Sequence, residues 1–73
     1  MKTRLTKDLV QIAVAGGGFK LDAGTRPISE LMEIASAAAR GGGTIYLAGM
    51  NKHPTGDLIQ ISEAGKGHVV LEG

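Results

Sequence analysis

Seventy-three residues with 42% hydrophobic content make one small domain, spanning 1–73, and a domain of that size buries only about 60% of its unfolded surface, so it is marginal alone. The chain has no cysteine and only two histidines, which excludes disulfides and argues against a structural zinc or any other metal site. Eight basic and seven acidic residues leave a net charge of +1, with Phe19 and Tyr46 the only aromatics; nucleic acid is not expected as a partner, and little charge repulsion separates copies of the chain.

The first residues are basic and then apolar, but Asp8 and Gln11 interrupt the run. Neither a signal peptide nor a membrane span is expected, and the expected compartment is the cytoplasm. A first helix begins at Leu5 or Thr6. Leu9, Ile12, Ala13 and Gly16 fall at i, i+3, i+4 and i+7 and form one apolar stripe. Thr6 is the candidate N-cap, with Asp8 in the first turn. Gly16 to Gly18 then lead into a strand. There Phe19 and Leu21 point one way, and Lys20 and Asp22 the other.

The stretch "DAGTRP" opens the second helix. Pro27 suits a first-turn position, preceded by Thr25 or Arg26, and Ser29 is the alternative cap. Leu31, Ile34, Ala35 and Ala38 make the stripe. Gly41 to Gly43 precede a strand with Ile45 and Leu47 inward and Tyr46 outward. After "AGMNKHPTGD" a third helix, with Thr55 as candidate N-cap, carries Leu58, Ile61, Ser62 and Gly65. The last strand runs from His68 to Glu72. Its Val69 and Leu71 face inward, and its His68 and Val70 face outward. A second set of apolar positions, Val10, Val14, Met32 and Ile59, is expected between adjacent helices.

These segments repeat. "DLVQIAVAGGGFKLDAG", "ELMEIASAAARGGGTIYLAG" and "DLIQISEAGKGHVVLEG" share acid, Leu, apolar, Gln or Glu, Ile, then glycines and an alternating run closing on Leu. The repeats cover about 5–24, 25–49 and 50–73. Their order implies an α/β fold in which three helix–strand repeats form a short one-sided solenoid with a three-stranded parallel sheet. Period and content resemble the leucine-rich-repeat class of α/β solenoids over the whole chain. The LxxLxLxxN signature of that class is missing, since Asp-Ala-Gly, Ala-Gly and Glu-Gly follow Leu21, Leu47 and Leu71. The resemblance implies ligand recognition on a concave sheet face.

Solenoids protect their terminal repeats with polar caps, and no capping sequence is evident here. The expected interface is therefore between copies of the chain, head to tail, in a filament or ring. Leu5, Leu9 and the Phe19, Lys20, Leu21, Asp22 strand form one side. His68, Val69, Val70, Leu71 and Glu72 form the other. A proline at Val70 is expected to remove a ladder donor and abolish assembly.

Other sites are weaker. The glycine runs follow helices and open strands, the reverse of a phosphate loop, so they read as helix terminators. Arg26, Asn51, Lys52 and His53 lie on the strand-to-helix rim and could meet a ligand, although turn chemistry explains them too. Tyr46 could anchor a partner on the outer sheet face. His53 and His68 read as surface histidines without a ligand-spaced carboxylate companion. Asp8, Glu30 and Asp57 recur at matching positions, which suits a structural role. No catalytic constellation or cofactor motif emerges, so no enzyme is expected. The alternative to self-assembly is a small protein- or ligand-binding module using the sheet face or the rim loops.

Overall fold

The structure, a computed structural model, describes residues 6–24 and 26–72. Leu5 and Thr25 lie outside the described residues, as does the side chain of Lys52. Helix α1 (Thr6–Val14), strand β1 (Phe19–Asp22), helix α2 (Ile28–Gly41), strand β2 (Ile45–Ala48), a 3-10 turn (Met50–Lys52), helix α3 (Thr55–Gly65) and strand β3 (Val69–Leu71) follow in order. The strands make one parallel sheet in the order β1-β2-β3. Phe19, Ile45 and Val69 stand side by side in it, as do Leu21, Leu47 and Leu71. Residues aligned by the sequence repeat therefore share a row across the sheet.

Alternation divides the sheet into two faces. Leu21, Ile45 and Leu47 are buried in one cluster with Leu9, Ala13, Leu31, Ile34, Ala35, Ala38 and Ile61 of the helices. Lys20, Tyr46 and Val70, one step over in each strand, are exposed on the opposite face. All three helices thus serve one face, and α2 lies between α1 and α3. The short helices gain their stability from this packing, since two to four turns alone are marginal in water.

Each helix stops at the same place. Gly16, Gly42 and Lys66, all three residues before the first strand residue, adopt left-handed backbone angles with φ of 93, 84 and 49°. After α1 the Gly16 and Gly17 amides donate back to the Ala13 and Ile12 carbonyls, closing the helix with left-handed C-cap geometry. Gly41, the last residue of α2, must be glycine for a different reason. A β-carbon there would sit 1.9 Å from the Ala13 carbonyl oxygen, so the ends of α1 and α2 pack backbone against backbone.

The helix starts differ from the sequence expectation. Pro27 and Pro54, not Ser29 or Thr55, hold the N-cap positions of α2 and α3, with φ of -65 and -63°. Their extended ψ aims each carbonyl into the first turn, where Pro27 accepts from the Glu30 and Leu31 amides and Pro54 from the Asp57 and Leu58 amides. Thr55 becomes the first residue of α3. Thr6 is likewise already helical, and its hydroxyl is free for a bond to another element.

Candidate functional site: the two edge strands

Among the described residues, β1 and β3 have one neighbouring strand each. In a parallel ladder, alternate residues direct their amide and carbonyl to the same side. The Ile45 amide donates to the His68 carbonyl, and the Glu72 amide donates to the Leu47 carbonyl. Residues 68, 70 and 72 therefore bond to β2, while Val69 and Leu71 turn their backbone groups outward. On the far side the Ala23 amide donates to the Ala48 carbonyl, so residues 19, 21 and 23 bond inward and Lys20 and Asp22 turn outward. This corrects the expectation for Val70, whose amide belongs to the internal ladder. The outward donors of β3 are the Val69 and Leu71 amides.

The side chains along these flanks are partly uncovered. Ile59 holds the helix position of Val10 and Met32, which are half-buried, yet it is 54% exposed. Leu58 is half-buried where Leu9 and Leu31 are buried, and Val69 and Leu71 are half-buried where Ile45 and Leu47 are buried. On the β1 side Phe19 and Ile12 are half-buried where Ile45 and Ile34 are buried. Val14 is exposed, unlike its neighbour Ala13. Of the residues expected at the interface, Leu9 and Leu21 are core residues rather than surface ones. Lys20 and Glu72 come together as an ion pair at 3.2 Å that spans the outer face from β1 to beyond β3. Both side chains are well exposed, so its stabilisation is small.

The rim residues do not converge on a ligand site. Arg26 donates from Nη1 to Thr6 Oγ1 at 2.9 Å and lies 3.6 Å from Glu30 Oε1. Thr6 Oγ1 in turn donates to Glu30 Oε1 at 2.5 Å, tying α1 to the start of α2. His53 is no free surface histidine. Its side chain is only 12% exposed, with Nδ1 3.8 Å from Asp57 Oδ2 and Nε2 3.2 Å from the Ala23 carbonyl oxygen. The 3-10 turn carries it back over the β1–α2 connection. Asn51 remains exposed on that turn. His68 is half-buried rather than surface-lying, with Nδ1 3.0 Å from the Gly43 carbonyl oxygen.

One signal for these joints was present in the sequence. "RPISEL" and "HPTGDL" share a basic residue, Pro, two variable residues, an acid and Leu. The i, i+4 pairs Arg26–Glu30 and His53–Asp57 follow from that spacing.

Tyr46 is 43% exposed and has Val70 beside it on β3, 39% exposed. A shallow depression of about 280 Å³ lies elsewhere, at the C-terminal ends of α2 and α3, lined by Ser36, Ala39, Arg40, Ala64 and Lys66. There α2, with 14 residues, lies beside α3, with 11. Its two cations sit where helix carbonyls carry partial negative charge, which accounts for them without a ligand. Among the described residues no group of three His, Cys, Asp or Glu side chains could hold a metal. None of the described helices is long and apolar enough to cross a membrane. A scan against protein-family models found no match, and neither the curated proteins nor the solved structures gave one.

Proposed function

We propose that this chain is a structural protein: an α/β solenoid that stacks head to tail with copies of itself, as a ring or a filament. The observation that carries this reading is the complementarity of the two edges. Placing β1 of a second copy beside β3, in the register already present between β1, β2 and β3, sets Phe19 beside Val69 and Leu21 beside Leu71. In that register the Lys20 amide meets the Val69 carbonyl, the Leu71 amide meets the Lys20 carbonyl, and the Asp22 amide meets the Leu71 carbonyl. These three bonds use both backbone groups of Lys20 and of Leu71, the Val69 carbonyl and the Asp22 amide. The same placement covers Leu58, Ile59, Val69 and Leu71, each worth roughly 1 kcal/mol or more once its remaining surface is buried. The two surfaces differ, so the contact is heterologous and propagates until it closes.

The test is Leu71→Pro. Its amide lies on the free edge, where proline is tolerated in a strand, so the monomer keeps its fold while the junction loses a central hydrogen bond and gains a clash. Light scattering and negative-stain microscopy should show large particles for the unaltered chain and none for the variant. Equal particle size for both would overturn the reading.

Tyr46 and Val70, adjacent and exposed on the outer face, support a second reading, a module that binds another protein there. A chain that stays monomeric at every concentration favours it.

A further inference from the structure

The joint between α1 and α2 contains a specific polar contact, and its parts recur in the chain. Thr6, on α1, donates its hydroxyl to Glu30, the acid of the following segment. Thr6 stands two residues before the acid of its own segment, Asp8. The matching positions in the other segments are Ile28, two before Glu30, and Thr55, two before Asp57. The second segment thus has no hydroxyl to offer. The acid that follows it, Asp57, is served by His53 instead, at 3.8 Å. The third segment has its hydroxyl again. Thr55 is exposed on the first turn of α3, on the uncovered flank of the molecule.

The unserved acid is Asp8. It is half-buried at the start of α1, and its side chain makes no hydrogen bond or ion pair with any other described residue. In a head-to-tail stack, the segment that follows the third is the first segment of the next copy. We propose that the junction between copies reproduces the α1–α2 joint, with the Thr55 hydroxyl donating to the Asp8 carboxylate of the next copy. This proposal rests on the stacking reading and adds to it a side-chain contact that fixes how the helices meet at the junction. Strand pairing alone would tolerate a slipped register of the helices. The Thr55–Asp8 contact selects one register, because the acceptor must stand two residues beyond the hydroxyl's own position. The carboxylate also lies in the first turn of its helix, where a negative charge is favoured.

The chain has no cysteine, so engineered thiols report without background. Thr55→Cys and Asp8→Cys variants are prepared singly, mixed, and treated with a short bis-maleimide. Products are resolved by mass, and Thr55→Cys mixed with Lys7→Cys serves as a control. The proposed junction gives the mixed Thr55→Cys/Asp8→Cys dimer in at least about tenfold excess over either homodimer and over the control pair, because stacking raises the effective concentration of that pair alone. Assembly without that enrichment, at the statistical ratio of products, overturns the junction and leaves stacking standing. A chain that never assembles overturns both.

Discussion

In the second segment, Leu31, Ile34, Ile45 and Leu47 are all removed from solvent. In the third segment the matching Leu58, Val69 and Leu71 are half-buried, and only Ile61 is buried. The residue types hardly differ between the two segments. What differs is the number of neighbours: α2 and β2 are flanked on both sides, α3 and β3 on one. Burial in this molecule is set by position in the sheet and the helix layer more than by composition. The third segment is made of core residues that lack one wall, and the first segment is its mirror case, with Phe19 and Ile12 half-buried.

Truncation should separate the two segments most sharply. Leu47→Ala removes a fully buried side chain between two strands and should cost about 2–5 kcal/mol, enough to unfold a domain this small. Leu71→Ala in dilute solution should cost roughly 1 kcal/mol, in proportion to its partial burial. Circular-dichroism melting of the two variants checks this. Equal losses would mean that the edge is already walled. A middle-sized effect is expected from Ile59→Lys. Its side chain is 54% exposed, so monomer stability should change by less than about 0.5 kcal/mol. The concentration needed for assembly should rise at least about tenfold, since a charge would be enclosed at the junction. Sedimentation velocity over a dilution series reads both states.

The smallest effect concerns an unfavourable contact in the proposed junction. In the proposed stack Asp22 of one copy would lie beside Glu72 of the other, since Asp22 pairs with Ala48, the residue that Glu72 flanks on the other side. Like charges directly opposite cost about 0.2–1 kcal/mol. Asp22→Asn keeps the oxygen that accepts from the Gly24 amide at 3.2 Å and should tighten assembly by about that much, most clearly at low salt. Weaker assembly of this variant would place Asp22 against a cation instead.

The division into helices and strands was legible because the two periods, 3.6 and 2, leave separate marks. Leu9, Ile12 and Ala13 can share one face only in a helix, and Phe19 and Leu21 only in a strand. The helix starts were less legible. Thr55 and Ser29 have good capping side chains, but Pro27 and Pro54 take the position because their backbone is already set for it, and no side-chain bond is formed there. The direction of the backbone groups on β3 left no trace in hydropathy. Side-chain alternation tells which face a residue occupies, not which neighbour its amide meets, and Val70 and Leu71 exchange roles on that account. The polar joints stood in between. The Arg26–Glu30 and His53–Asp57 spacing was written in the chain, but the contact from Thr6 to Glu30 needs the helices placed side by side before it can be seen.

The most direct measurement is amide hydrogen exchange at Leu71, followed from dilute to concentrated solution with Val70 as the internal reference. The Val70 amide faces β2 and should be protected at every concentration. If copies stack through β3, Leu71 exchanges almost freely when dilute and becomes protected as the concentration rises, approaching Val70. Unprotected exchange at Leu71 in concentrated solution, with Val70 protected throughout, would contradict stacking through this edge.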